Sequence, residues 1–392
     1  MRLRRARYIR GLIFKREMEK RDIIIVGSGP AGISVALSLK QSAPALAAEV
    51  LVLEKEQHPR HKLCGGGVTE FAEQILDDLQ VERRVAGFPI HRVRFHIGRK
   101  PLEFARENLM RIVLRSEFDA DLVRQARVRG VEIRENEAVL ELGRQDGRVQ
   151  VKTSRDVYLA RVVIGADGAR SLVRRKMIRE NATRVSRLLE VAVKVNAEET
   201  PEFRENMAVL DFRPLKQHLQ GYLWDFPSFI NNEAHLNIGV FDSRIREDRR
   251  ADLRRLLTHK LEARGMSSTE VGLMGHPERW FVPNGIYSSP NVLLVGDAAG
   301  IEPWLGEGIS MALGYGPVAA EAVKRAFETN DFSFENYNQL IADNRLGKLL
   351  NRNRLIARYF YWRKLRPLVD GLASVLLAHF TEKKGIAARL IE

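Results

Sequence analysis

A short β-branched run, Asp22-Ile23-Ile24-Ile25-Val26, passes directly into Gly27-Ser28-Gly29-Pro30-Ala31-Gly32. Ile33 to Lys40 then reads as helix, and Val50-Leu51-Val52-Leu53 as a second strand ending at Glu54. This order of strand, G-x-G-x-x-G, helix, strand and acid constrains the fold more than any other feature of the chain. Each part has its own physical task. Gly27 permits the tight turn, Gly29 lets a pyrophosphate approach the backbone, and Gly32 lets the helix pack closely on the strand. The helix N-terminus faces the phosphates with free N–H groups. Glu54 follows Gly32 by 22 residues, the spacing at which a carboxylate holds a ribose 2′-hydroxyl. The glycines alone are a weak sign; their full context predicts a dinucleotide-binding unit, with Pro30 and Ala31 inside the binding loop.

Two further strands end in Gly/Asp turns far along the chain. Val162-Val163-Ile164-Gly165-Ala166-Asp167-Gly168 is one, and Val292-Leu293-Leu294-Val295-Gly296-Asp297 is the other. One domain is therefore assembled from separated segments. At this point the chain resembles the FAD-dependent oxidoreductases with a p-hydroxybenzoate-hydroxylase-like fold, over roughly residues 20 to 330. The resemblance implies an α/β fold: a Rossmann-like FAD-binding domain, an inserted antiparallel β-sheet substrate domain and a C-terminal helical region. It implies that Asp297 meets the ribityl or ribose part of FAD, and that Asp167 and Gly168 lie near the pyrophosphate and the reductant's path. Arg115 matches the family's cofactor-side arginine, where a guanidinium pairs with pyrophosphate. Lys55, Cys64, Gly65, Val139, Gly296, Gly306, Gly308 and Ile309 are further cofactor-binding positions on the same basis.

Pro303-Trp304-Leu305-Gly306-Glu307-Gly308-Ile309 leads into a predicted helix, Ser310 to Glu328. Backbone N–H groups and the helix dipole there would stabilise negative charge on the N1–C2=O edge of a reduced flavin. Aromatic monooxygenases of this fold show Gly-Gln-Gly-x-Asn at this point, whereas Gly-Glu-Gly-Ile looks like the geranylgeranyl reductase branch. Lys62-Leu63-Cys64-Gly65-Gly66-Gly67 points the same way. So does Gly221-Tyr222-Leu223-Trp224-Asp225-Phe226-Pro227, which resembles that branch's Y-x-W-x-F-P signature, with Ser228 in place of the usual Lys.

The branch implies reduction of isolated C=C bonds in a prenyl chain: a geranylgeranyl lipid, geranylgeranyl diphosphate or a menaquinone side chain. An isolated trisubstituted alkene accepts hydride poorly, so hydride from reduced flavin N5 must be matched by a proton from an acid. Cys64 is that acid or relay by resemblance, and a thiol with a pKa of about 8.5 is mostly protonated at neutral pH. Tyr222, Trp224 and Phe226 alternate along a predicted strand and so share one face. The expected catalytic residues are Cys64, Tyr222 and Trp224. Tyr222, Trp224, Phe226 and Trp304 are the expected substrate-binding residues. Two alternatives stay open: a monooxygenase or halogenase of the same fold, and a flavoprotein whose basic surface binds nucleic acid, for which no RNA or DNA motif speaks.

A length of 392 residues predicts two or three domains. Residues 20–67, 108–184 and 275–330 are assigned to FAD binding, 68–107 and 185–274 to a substrate domain, 331–392 to a C-terminal helical region and 1–19 to a basic arm. Strands are expected at Arg92 to Ile97, Leu102 to Ala105, Glu190 to Val195, Met207 to Phe212, Gly221 to Phe226 and His235 to Phe241. Helices are expected at Asp252 to Arg264 and Arg345 to Arg366. The single cysteine excludes an intrachain disulfide and a Cys-rich metal site. The nine histidines are scattered, so no metal is expected. Residues 1–17 carry +6 of the net charge of +14. A basic surface suits anionic headgroups or phosphorylated substrates. The apolar stretch Leu368 to Phe380 contains Asp370 and is too short to span a bilayer. No secretory signal is expected. The expectation is a cytoplasmic protein able to lie at the inner face of the membrane, with prenyl lipid or quinone as partner and no nucleic acid. NADPH, ferredoxin or a quinol-linked route would supply electrons, the second through a small carrier protein.

Overall fold

A computed structural model describes residues 18–97, 101–178, 184–247, 250–266 and 272–361. The expected arm before Met18, the turn at residues 98–100 and the apolar stretch Leu368 to Phe380 lie outside the described residues.

Two eight-stranded sheets organise the chain. In the first, Val292–Leu294, Val157–Gly165, Glu19–Val26, Val50–Leu53 and Glu132–Arg134 lie side by side and parallel. Ser288–Ser289 adds an antiparallel edge, and Val139–Gln145 with Arg148–Thr153 forms a meander off Val157–Gly165. The central strands are buried on both faces, as a continuous apolar run requires. Ile23, Ile24 and Ile25 are all solvent-inaccessible.

Helix Pro30–Ser42 packs against the long helix Gly308–Thr329. That second helix carries Pro317 in its interior, which removes a hydrogen bond to the carbonyl four residues back and costs about 3 kcal/mol if nothing compensates. The orphaned carbonyl is Leu313 O, and Ser34 Oγ donates to it at 2.6 Å. Gly316 is what allows the approach, since a Cβ there would lie 2.0 Å from Ser34 Oγ.

The second sheet runs, in spatial order, Met274–Arg279, Val185–Lys194, Glu233–Asp242, Gly221–Ile230, Met207–Asp211, Phe88–His96, Pro101–Ile112 and Gly67–Thr69. All neighbours are antiparallel except Met207–Asp211 against Phe88–His96, which is parallel. The strands expected to pair antiparallel do so, and the one parallel seam is an addition to that expectation. The hairpin strands are also longer than expected. Pro101–Ile112 continues past residue 107 and pairs with Gly67–Thr69, so the sheet draws in residues assigned above to FAD binding. Two strands of this sheet went unforeseen, Met274–Arg279 and Gly67–Thr69.

One face of this sheet is covered by helix Leu253–Glu262, against which Leu223, Leu236, Ile238 and Val240 pack. The opposite face carries Tyr222, Trp224 and Phe241, packed with Trp304, Leu305 and Phe360. The period of two in Gly221–Ile230 thus sends Leu223 to one side and Tyr222, Trp224 and Phe226 to the other.

Candidate active site

The glycine loop has one open position and two closed ones. A Cβ on Gly27 (φ +104°) would lie 2.5 Å from Ala166 O, and one on Gly32 would lie 2.0 Å from Gly27 O. Both glycines serve packing. At Gly29 the nearest atom to a Cβ would be Arg60 Nη2, 3.7 Å away. Gly29 therefore faces free space at the start of helix Pro30–Ser42, and Pro30 leaves the following amides to point outward.

Glu54 is buried and lies beside the loop, accepting from Ser28 Oγ at 2.7 Å and Ser28 N at 3.1 Å. Val139 opens its strand two residues after Glu137, whose N–H bonds Glu54 O at 2.8 Å. Lys55 does not join: its side chain is 69% exposed and pairs with Glu56 at the surface, Nζ–Oε1 3.3 Å.

The structure alters the place expected for Arg115. Its fork is taken by Asp119, Nε–Oδ1 2.9 Å and Nη2–Oδ2 3.0 Å. It also lies beside the Cys64 thiol. The guanidinium beside Gly29 is Arg60, which stands 3.6 Å from Glu54 and 3.5 Å from Asp119, its Nε buried without a hydrogen-bond partner. Reach explains the exchange. Arg115 is the first residue of helix Arg115–Val128, directly after the strand that pairs with the segment following Cys64.

Asp167 accepts from the N–H groups of Leu172 (2.6 Å) and Val173 (3.1 Å), while its Oδ1 is buried without a partner. Asp297 lies in a buried constellation that composition did not reveal. Lys62 Nζ is 2.8 Å from His276 Nε2, which is 3.9 Å from Asp297 Oδ2. Burial opposes ionisation of Asp297, but His276 and Lys62 together hold its carboxyl below the usual range.

Gly296 (φ +57°) packs on Ala31, where a Cβ would lie 2.7 Å away, and so joins the late Gly-Asp turn to the first helix. Glu302 draws the next loop together by accepting from the N–H groups of Trp304 (2.7 Å), Leu305 (2.9 Å) and Glu307 (2.8 Å). Gly308 and Ile309 begin the long helix. A Cβ on Gly306 (φ +70°) would meet Glu278 Oε2 at 3.0 Å, and that buried oxygen has no hydrogen-bond partner. Burial, with Asp297 and Glu302 nearby, pushes the Glu278 carboxyl well up.

Cys64 stands where the two sheets meet. Gly66 (φ +79°) presses against Val113, where a Cβ would lie 2.2 Å from the carbonyl, and its own carbonyl accepts from Val113 N at 2.9 Å. This contact fixes the cysteine loop beside Arg115. The loop also lies flat on the aromatic face: a Cβ on Gly65 would be 3.1 Å from Phe226 and 3.5 Å from Trp224 Nε1. Burial pushes the Cys64 thiol up, and Arg115 pulls against it.

Behind the loop is Glu190, which sequence reasoning missed as a site residue. Its Oε1 accepts from Cys64 N at 2.7 Å, and its Oε2 is buried with no hydrogen-bond partner of normal geometry. Burial pushes the Glu190 carboxyl up to about 7, against the Cys64 N–H, Asn237 and Arg115. Trp224 Nε1 donates to Asn237 Oδ1 at 2.7 Å, and its ring crosses Gly239, where a Cβ would lie 2.1 Å from it.

Tyr222, Trp224 and Phe226 form a continuous run of rings, each pair 6.2 Å apart between centroids. Trp224 and Phe226 face Cys64's loop. Tyr222 donates its hydroxyl to Leu305 O. Trp304 has no exposed surface, and Tyr361 Oη donates to its carbonyl at 2.7 Å. It backs the aromatic face and presents no open surface of its own.

The residues fit FAD on their own evidence: an open Gly29 beside a charged arginine, an unpartnered buried oxygen on Asp167, and another on Glu278 against the Gly306 turn. Residues 20–314 match the family described as FAD binding domain. The chain belongs to that family. This FAD-binding protein is 25% identical to a digeranylgeranylglycerophospholipid reductase of Thermoplasma acidophilum, over 83% of this chain and 84% of that one. It is 28% identical to a menaquinone reductase of Mycolicibacterium smegmatis, over 76% and 75%. Its fold is similar to the crystal structure of a geranylgeranyl bacteriochlorophyll reductase-like protein from Thermoplasma acidophilum. The TM-score is 0.73 at 22% identity, covering 91% of this chain and 92% of that one.

Proposed function

We propose that this FAD-binding protein reduces isolated C=C bonds of a prenyl chain. The observation that carries the reading is the seating of the Cys64 loop on Trp224 and Phe226 with a buried carboxyl, Glu190, directly behind it. The names of the two curated relatives, a prenyl-lipid reductase and a quinone reductase, support it. Reduced FAD supplies the hydride at N5. Everything else falls to the chain. Gly29 and Arg60 receive the pyrophosphate, and Asp297, held by His276 and Lys62, receives the sugar-alcohol chain. The turn Gly306–Gly308 would offer backbone amides to the isoalloxazine, with Glu278 beside the turn. Trp224 and Phe226 present a dry apolar face to the alkene. Cys64 delivers the proton, kept as a thiol by burial.

Glu190 then has a role as the reserve from which Cys64 is reprotonated. A carboxyl with a pKa near 7 is protonated below that pH and loses its proton above it. kcat/KM for prenyl reduction should therefore fall as pH rises through about 7. Glu190→Gln should remove that limb and slow turnover at every pH. An unchanged pH profile in Glu190→Gln takes Glu190 out of the proton path.

NADPH, ferredoxin or a quinol-linked donor is proposed as the electron source. Among the described residues no helix is long and apolar enough to cross a membrane. A cytoplasmic protein meeting its lipid at the membrane surface is the proposed setting. The reading is tested by adding prenyl lipid to the photoreduced protein without oxygen. Oxidised-flavin absorbance should return with the lipid alone. If it returns only when oxygen is admitted, a monooxygenase reading takes over.

A further inference from the structure

Every double bond reduced consumes a proton, yet the proposed acid and its reserve are closed off from water. Glu190 is buried, and the Cys64 loop closes over it through Cys64 N–H to Glu190 Oε1 at 2.7 Å. A proton must therefore reach them through the protein, along groups that can both take one and give one.

The second sheet sets such groups in a row. Val185–Lys194 pairs antiparallel with Met274–Arg279, the outermost of the described strands at that end. Leu188 stands opposite His276, and Glu190 opposite Met274. Directly paired residues share a face of a sheet, as do residues two apart in one strand. His276 is therefore the diagonal neighbour of Glu190 on one face, a spacing of about 7–8 Å that long side chains span. Lys62 reaches this row from the segment that leads into Cys64, with its Nζ 2.8 Å from His276 Nε2. At the outer end the His276 side chain is 24% exposed. The row starts in solvent and ends at a buried acid.

The partner of Lys62 also sets it apart. The buried Lys260 is met by a carboxylate, Asp225 Oδ2, at 2.7 Å. Lys62 is met by an imidazole. Two cations 2.8 Å apart would repel, so Lys62 and His276 hold one proton between them, and either nitrogen can carry it. Burial lowers the Lys62 ammonium from its usual range, with Arg115 acting the same way and Asp297, Cys64 and Asp119 pulling against them. Lys62 acts in turn on Glu190, and on Glu278, which lies two residues beyond His276 on the same face. The charge of Asp297 Oδ2, 3.9 Å from His276 Nε2, keeps the shared proton on the pair.

We infer that Lys62 and His276 form the proton inlet of the active site, passing protons from solvent to Glu190 and so to Cys64. This rests on the reductase reading and adds the route by which its acid is reloaded. Cys64 gives its proton to the alkene carbon and is left as thiolate. The thiolate takes a proton from Glu190, the carboxylate from Lys62, the amine from His276, and the imidazole from water. One proton enters for each double bond, and no group on the path changes oxidation state.

The test needs no alkene. The chain has a single cysteine, so the S–H stretching band in the infrared belongs to Cys64 alone. The FAD-loaded protein is diluted into heavy water, and conversion of S–H to S–D is followed. His276→Ala and Lys62→Met should each slow the exchange at least about tenfold, and added imidazole should restore it in His276→Ala. Lys62→Arg decides between relay and simple charge. It keeps a cation beside Asp297, but a guanidinium does not release its proton, so exchange should stay as slow as in Lys62→Met. Flavin content and melting temperature identify any variant that misfolds. Wild-type exchange in folded Lys62→Arg or His276→Ala, or no recovery with imidazole, overturns the proposal. If Glu190→Gln alone is slow, Glu190 remains the reserve and the inlet lies elsewhere. Since no product is measured, failure of prenyl reduction would remove the reductase reading and leave the exchange result intact.

Discussion

Cys64→Ala should lower the rate of prenyl reduction by roughly 10²- to 10⁴-fold, the range attached to loss of a general acid, with FAD content unchanged. The thiol is the only titratable hydrogen donor on the loop that lies against Trp224 and Phe226 among the described residues of that loop's Cys64–Gly67 segment. Burial keeps it protonated, which is the state an acid needs. Alanine removes the proton and little volume. The loop geometry should persist, because it rests on Gly66 against Val113 and on the Cys64 backbone N–H to Glu190. The rate of flavin reoxidation by prenyl lipid, followed without oxygen, reads the chemical step directly. Cys64→Ser should fall between alanine and wild type, since a hydroxyl is a weaker acid of the same shape. Wild-type reoxidation in Cys64→Ala would take the cysteine out of the mechanism.

The second large effect separates two glycines three residues apart. Gly29→Val should yield a folded protein without FAD, with affinity reduced by roughly 100-fold or more because the side chain occupies the pyrophosphate's approach. Gly29 has φ −70° and open space, so the chain itself tolerates a side chain there. Gly32→Val should fail to fold, because its Cβ would lie 2.0 Å from Gly27 O, a backbone atom that cannot move aside. Flavin absorbance and circular dichroism on the two variants distinguish these outcomes. A Gly29→Val protein that retains yellow flavin at wild-type stoichiometry contradicts the placement of the pyrophosphate.

The first βαβ unit was legible because a buried parallel strand, a glycine turn and a helix start each leave a short-range mark. The aromatic alternation at Tyr222, Trp224 and Phe226 was legible for the same reason, since period two is written into the strand. Strand direction is not. Nothing in the alternation of Met207–Asp211 distinguishes its parallel neighbour from an antiparallel one.

Side-chain reach is equally invisible. The sequence marks Arg115 by resemblance and gives Arg60 no mark. Only the pairing of Gly67–Thr69 with Pro101–Ile112 sets Arg115 against Cys64 and leaves Arg60 beside Gly29. Glu190 was missed because a glutamate in a strand reads as solvent-facing. It is buried because its neighbour across the sheet is Gly239, over which the Trp224 ring lies, and because the Cys64 loop closes above it. A glycine opposite an acid in adjacent strands was the available clue. Lys62, His276 and Glu278 come from segments more than 200 residues apart and meet only in the fold.

The most direct test of prenyl reduction is the mass of the acceptor. The purified flavoprotein is reduced with dithionite without oxygen, mixed with geranylgeranyl lipid, geranylgeranyl diphosphate or menaquinone, and the extract is analysed by mass spectrometry. Two hydrogens should be added for each double bond reduced. An unchanged acceptor in every arm, or an oxygenated product formed only after air is admitted, would contradict prenyl reduction.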